Sequence, residues 1–390
     1  MRARGLAGDT RAVTRTIVRK EQALRVVVAG GGVAALETLL ALRELAGERV
    51  DVELLAPEQH FWFRPLAVAE PFGLGRVFRL ELSHVARTCD AEFTPGELVA
   101  VDADRRTALT GAGQEIPWDV LVVAGGARGR PALPGALTFR GPADTDVLRE
   151  ALDRAGSNDA ARIAFAVPGG STWPLPLYDL ALLTATELSR SGPGGAEVVL
   201  VTPERRALAA LGETAGAAVA ALLAERGVEL RMRLQPISAG EGELVVAPGE
   251  SVEAGLVVSV PRLEGAPIPG IPADERGFVP TDASSRVLGL TDVYAAGDTT
   301  DFPVKHGGLA TLQADAVAEA IAAEAGAPVT PRPFRPVVRA LLLSGTEPTY
   351  LEVDLFRPAD AVVSQDPLWD PPAKISGRFL SPFLAAFAGQ

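Results

Sequence analysis

The sequence predicts an α/β protein of two doubly wound domains, each built on a parallel sheet, followed by a small C-terminal region. Three observations predict it. A run of β-branched residues, Val26-Val27-Val28, leads through closely spaced glycines into an apolar stretch over 36–45. The alternation of strand and helix patterns starts again near residue 162 and continues to 232, an internal duplication of architecture. A short apolar strand ending in Gly297-Asp298 then precedes a long apolar helix over 308–324.

Length and composition narrow the class. A chain of 390 residues holds two or three domains at about 100–200 residues each. A net charge of −12 and a pI near 4.9 argue against nucleic acid as a partner. Cys89 is the only cysteine, which leaves no disulfide framework and no thiolate cluster. His60, His84 and His306 are far apart, so a metal site is not expected. Residues 1–22 carry arginines without an apolar core and read as a disordered tail, not a secretory signal, which points to a cytoplasmic protein. No apolar run reaches the roughly 18 residues of a membrane span.

The first strand and helix enclose Gly30-x-Gly32-x-x-Ala35, the dinucleotide-binding fingerprint with alanine in its third place. Gly30 allows the sharp turn, Gly32 allows backbone to approach a pyrophosphate, and Ala35 lets the helix lie close on the strand. The amides of Val33, Ala34 and Ala35 and the positive end of the helix then hold the anion. A second strand over 50–55 follows. The acidic residue that receives a ribose in this pattern is replaced at the strand end by Ala56, which leaves Glu58 as the first candidate and Glu53 as the second.

His60-Phe61-Trp62-Phe63-Arg64 is an aromatic cluster read two ways: a core plug, or a wall over a flat ring with Arg64 beside it. Alternation over 92–108 predicts an inserted strand pair. Another buried strand ends in Ala124-Gly125-Gly126, small residues suited to backbone approach at the carboxyl edge of a sheet.

In the second domain, strands are predicted over 163–167, 197–201 and 228–232, and helices over 177–188 and 213–225. Its phosphate loop is degraded. Trp173 stands where a small residue belongs, and Pro168 and Pro174 remove amide donors, which disfavours a nicotinamide dinucleotide held in the usual way.

Asp298 at its strand end can accept from a ribityl hydroxyl. Lys305, His306 and the amides of Gly307, Gly308 and Leu309 open the next helix, whose positive pole suits the anionic edge of a reduced flavin. The C-terminal region predicts a strand pair from 333–339 and 341–343. Phe379, Leu380, Phe383, Leu384 and Phe387 share one helical face, which suits core, a homodimer contact or peripheral contact with the inner face of a membrane.

Taken together, the fingerprint at Gly30–Ala35, the Ala124-Gly125-Gly126 strand end, the second strand–helix repeat and Tyr294-Ala295-Ala296-Gly297-Asp298 resemble the pyridine nucleotide-disulfide oxidoreductases. Within them the likeness is to the branch of sulfide:quinone oxidoreductases and type II NADH dehydrogenases. The resemblance implies two Rossmann-like FAD/NAD(P)-binding domains: 23–135 and 259–328 as the two parts of an FAD-binding domain, 136–258 as a degenerate NAD-type domain, and 329–390 as a C-terminal interface region. It implies FAD, with the pyrophosphate at Gly30–Ala35, Gly297 and Asp298 at the ribityl chain, and residues 305–309 beside the flavin. Two departures stand out. A lone Cys89 rules out a paired-cysteine relay, and the Trp173 loop weakens use of NAD(P)H. The reading is an FAD-dependent oxidoreductase passing two electrons to a small acceptor, plausibly a quinone, with Lys305 and His306 as catalytic candidates. The alternatives are an NAD(P)H-dependent reductase with an altered loop, in which Glu204 or Arg205 selects the nicotinamide, and a flavin-binding sensor or partner protein.

Overall fold

A computed structural model describes residues 23–156, 162–190, 196–249 and 251–388, so the tail expected over 1–22 lies outside the described residues. The chain runs through β1 (Leu24–Ala29), α1 (Val33–Leu45), β2 (Val50–Ala56), β3 (Glu92–Pro95), β4 (Val120–Val123) and β5 (Leu137–Thr138). It continues with β6 (Arg162–Ala166), α2 (Leu175–Arg190), β7 (Glu197–Thr202), α3 (Gly212–Glu225), β8 (Val228–Met232) and β9 (Leu256–Ser259). The last elements are β10 (Val293–Ala295), α4 (Gly307–Glu324), β11 (Val337–Leu342), β12 (Thr349–Asp354), β13 (Val362–Ser364) and α5 (Leu380–Ala388).

Two parallel sheets result, ordered β10-β4-β1-β2-β3 and β5-β9-β6-β7-β8. Their strands read as continuous apolar runs because both faces are covered. Val28 of β1 lies opposite Leu54 and Val122, and all three are buried. In each sheet the strand order reverses beside the first strand, between β1 and β4 and between β6 and β9. Crevices at such reversals are where open α/β sheets bind ligands.

Two expectations about strands are corrected. Glu92–Pro95 does not join a hairpin but extends the first sheet as its parallel edge, with Leu54 opposite Phe93; the antiparallel insert begins only at Leu98–Asp102 and has three strands. Residues 333–339 and 341–343 are not a strand pair. β11 runs straight through Arg339 and Leu341 and pairs with β12, because Ala340 and Leu342 continue the same inward face as Val338.

The C-terminal region is divided between the two cores. Val338, Ala340, Leu342, Leu351 and Val353 pack with Leu177, Leu180 and Val198 of the second domain, whereas Ile375, Leu380 and Leu384 pack with α1 and α4 of the first. The apolar face of α5 is therefore core at Leu380 and Leu384, partly buried at Phe379 and Phe383, and exposed at Phe387. Among the described residues no helix is long and apolar enough to cross a membrane.

Candidate functional site

A cavity of about 850 Å³ follows the β1–β4 crevice and runs on to the second domain, within the range of about 300–1,000 Å³ usual for cofactor and ligand sites. Its floor is the glycine turn. Gly30 has φ +143° and lies so close to β4 that a Cβ there would be 2.1 Å from the carbonyl oxygen of Ala124, so only glycine fits. A Cβ on Gly32 would meet nothing within 4 Å, since this residue faces the open cavity. Gly32 is also the N-cap of α1 and carries no side chain to satisfy the first-turn amides, which leaves those of the cavity-lining Val33 and Ala34 available to an anion. Ala35 is fully buried and lies off the wall.

The second wall comes from β10. Gly297, with φ +83°, brings its turn within 2.9 Å (ideal Cβ) of the Ala34 methyl, and Gln313 fixes it by accepting the Gly297 N–H at 2.8 Å. Asp298 then faces the cavity with no protein donor on its carboxylate among the described residues. Burial pushes its pKa up, and Lys305 partly opposes this. An unpartnered carboxylate lining the same cavity as uncapped helix amides fits a ligand with an anionic centre and a polyhydroxyl chain. FAD has both, and the residues present therefore fit it.

Glu58 is exposed on the wall beside Gly31, whereas Glu53 is committed to Thr94, whose Oγ1 donates to it at 2.6 Å; of the two acidic candidates only Glu58 is free. The aromatic cluster divides by strand alternation. Phe61 and Phe63 are both buried, Phe63 stacked on Phe78 at 4.9 Å, so the core reading holds for these two, while Trp62 and Arg64, with one face of Phe61, line the cavity. Ala124 and Gly125 line the crevice as the strand-end pattern predicts.

At the far end, Lys305 donates to the Thr300 carbonyl and lies 3.8 Å from the Phe278 ring centroid. Burial pulls its pKa down to about 8. His306 caps α4: its Nδ1 accepts the Gly308 N–H at 3.2 Å, and its ring tilts against Trp173 at 4.7 Å. Burial, helped by Lys374, lowers its pKa to about 4. The imidazole is thus neutral at ordinary pH, with its remaining proton on Nε2. Replacing it with asparagine, which also caps helices, is expected to leave a pH–rate profile unchanged between pH 5 and 8; a lost inflection there would identify His306 as a titrating group. Gly307 lines the cavity, but Gly308 lies beneath the His306 ring and Leu309 belongs to the core, so neither reaches the wall.

The loop after β6 is crowded at Gly169 by a neighbouring strand and at Trp173 by its own side chain. A Cβ on Gly169 would be 2.8 Å from the Gln235 amide, and Trp173 covers His306. Glu204 accepts from Tyr178, Thr202 and the Ala209 N–H, which leaves it no free oxygen for a ribose.

Sequence reasoning missed one pair on this wall. Asp179 of α2 and Lys374, both buried, form an ion pair, and Asp179 also accepts the Leu343 N–H at 2.8 Å. Burial raises the Asp179 pKa and Lys374 opposes it. Lysine is scarce in this arginine-rich chain, which retains it at 20, 305 and 374, and the last two both reach the cavity. That scarcity was the available signal. Cys89, by contrast, ends the helix Leu82–Thr88 away from the cavity wall, and burial pushes its thiol up to about 11.

Comparison with known proteins places these features. A profile of the family described as pyridine nucleotide-disulphide oxidoreductase matches residues 24–323. A sulfide-quinone reductase of Aquifex aeolicus is 27% identical over 180 residues, 44% of this chain and 40% of that protein, so the match spans less than half of the relative. Demethylphylloquinone reductase NdbB of Synechocystis is 26% identical over 295 residues, 70% of this chain and 71% of that one. In structure, the sulfide:quinone oxidoreductase of Aquifex aeolicus aligns with a TM-score of 0.79 at 19% identity, covering 94% of this chain and 90% of that one, a likeness of fold.

Proposed function

Since this chain belongs to the pyridine nucleotide-disulphide oxidoreductase family, we propose that it is an FAD-dependent oxidoreductase that reduces a quinone without a cysteine relay. The observation that carries the reading is that the Asp298 carboxylate, without a protein donor among the described residues, lines the same cavity as the uncapped start of α1. When bound, the flavin supplies two-electron transfer. The chain's residues do the rest. The amides of Val33 and Ala34 receive the pyrophosphate, Glu58 accepts from the adenosine ribose, and Asp298 accepts from a ribityl hydroxyl. Arg64 and Lys305 place positive charge along the cavity. Lys374, paired with Asp179, presents its Nζ on the wall as a donor to an acceptor oxygen gaining charge. The quinone assignment draws on relatives named for quinone reduction. The closed loop at Gly169 and Trp173 favours a donor other than a nicotinamide dinucleotide.

The purified protein is expected to be yellow. After anaerobic photoreduction, adding a soluble quinone is expected to restore the oxidised flavin spectrum within seconds, while NADH or NADPH added to the oxidised protein bleaches it only slowly. Colourless protein that takes up no FAD, or a reduced flavin indifferent to quinone, overturns the reading. Rapid bleaching by NADH overturns the part that rests on Trp173.

A further inference from the structure

The start of α4 holds a buried donor with nothing to donate to. His306 is 8% exposed, and its ring lies between the Trp173 indole and the first turn of the helix. A Cβ on Gly308 would be 3.0 Å from His306 Cε1 and 3.2 Å from Nδ1, so a glycine at 308 gives the ring room to lie this close. With Nδ1 accepting the Gly308 N–H, the ring's single proton belongs on Nε2. Nε2 meets no acceptor among the described residues, yet it is not sealed in the core and keeps accessible surface on the cavity wall. An N–H so deeply set and open only to the cavity is satisfied by what the cavity holds.

The imidazole also takes over a task that the backbone gives up. The amides of Gly308, Leu309 and Ala310 are all engaged, the first by Nδ1 and the other two by the His306 carbonyl at 3.0 Å each, so at these positions the positive pole of α4 reaches the cavity through the ring. Accepting the Gly308 N–H draws charge from the ring and makes Nε2–H the stronger donor. Protonation does not compete. Burial, with Lys374 adding to it, holds the pKa at about 4, so the ring is neutral between pH 5 and 8. Lys374 comes from the strap over 374–380, whose Ile375 packs on Gly307 and whose far end is held by Glu37 of α1, which accepts the Phe379 N–H at 2.8 Å and the Leu380 N–H at 2.7 Å. The strap thus sets a second donor, Lys374 Nζ, on the same wall.

We propose that His306 is a catalytic residue whose Nε2–H donates to a ring carbonyl oxygen as that oxygen gains negative charge in the two-electron transfer, and that it keeps its proton throughout. The role depends on the flavin proposed for the cavity. Two electrons leave one ring system and enter the other, and the one reduced places charge on a carbonyl oxygen; the protons that complete the reduced product come from water. A neutral N–H suits this. It bonds weakly to the uncharged carbonyl and strongly to the charged oxygen, so it stabilises the transition state more than the ground state. Flavin and quinone both carry such an oxygen, and a potential and a rate tell them apart.

Two substitutions separate the edges of the ring. His306→Asn places an oxygen near Nδ1 and nothing at Nε2, so it keeps the cap and loses the donor. His306→Gln, one bond longer, places an amide N–H near Nε2 and leaves the Gly308 N–H without its acceptor. With the oxygen on the acceptor, photoreduced His306→Asn is expected to be reoxidised by a soluble naphthoquinone about 10–100-fold more slowly, equally at every pH from 5 to 8, with its reduction potential unmoved. With the oxygen on the flavin, the potential is expected to fall by about 30–60 mV, the same loss at about 30 mV per tenfold for a two-electron couple, and reoxidation is not slowed. In either case His306→Gln is expected to return most of the way to wild type although it melts at a lower temperature. A His306→Asn variant with wild-type rate and potential, or a His306→Gln variant no closer to wild type than His306→Asn, overturns the proposal. Should His306→Asn fail to accumulate, His306→Gln is set beside His306→Ala: both lack the cap, only the first has the donor, and equal values overturn the proposal equally. A colourless wild type tells against the flavin, whereas a yellow wild type matched by its variants tells against His306 alone.

Discussion

Replacing Lys374 by methionine is expected to destabilise the protein by about 3–5 kcal/mol, because it leaves the buried Asp179 carboxylate without its cation. Urea unfolding would read this as a lower midpoint with little change in slope. The double variant Lys374→Met with Asp179→Leu is expected to recover most of the loss, since neither charge then needs solvation. It falls short of full recovery by roughly the 1–3 kcal/mol of a Leu343 N–H left without its acceptor. If the single variant is as stable as wild type, the pair is not the buried contact described. If the double variant is no better than the single, the damage comes from lost packing and not from an unpaired charge. On the reading of Lys374 as a donor to the acceptor oxygen, both variants are also slow to return reduced flavin to its oxidised state with quinone.

The second large effect is at Asp298. Asp298→Ala removes a charge-assisted acceptor worth about 1.5–3 kcal/mol, so FAD is expected to dissociate about 10–150-fold more readily. Because Asp298 has no protein donor among the described residues, its removal orphans nothing and the fold is expected to stand. Gel filtration in buffer without FAD should yield a largely colourless variant with a wild-type far-UV spectrum. A variant that stays fully yellow would remove Asp298 from the proposed site.

What could be read in the sequence follows from where the constraint resides. The turn at Gly30 was legible because its glycine is imposed by a backbone contact with Ala124, and such contacts demand a residue type that spelling alone reveals. The two parallel sheets were legible for a similar reason: strands covered on both faces need unbroken apolar runs. That Phe61 and Phe63 are buried while Trp62 and Arg64 are not needed the structure, since alternation says that neighbours part but not which side is core. At β11 the periodicity could not tell one long strand from two short ones, because Ala340 is small enough to suit a bend or a strand equally. The pair of Asp179 and Lys374 and the contact of Glu37 with Leu380 join residues 195 and 343 positions apart. Local pattern carries no trace of such partners, and a lone aspartate in an apolar helix reads the same whether its cation is distant or absent.

The division of the C-terminal region between the two cores has a mechanical consequence. With β11 and β12 built into one half of the molecule and α5 into the other, the intervening residues act as a tie rod across the crevice. Swinging one half away from the other would have to stretch that rod or pull out an anchored end, so large-scale gaping is resisted. A bulky molecule is then admitted most easily by slackening the rod itself.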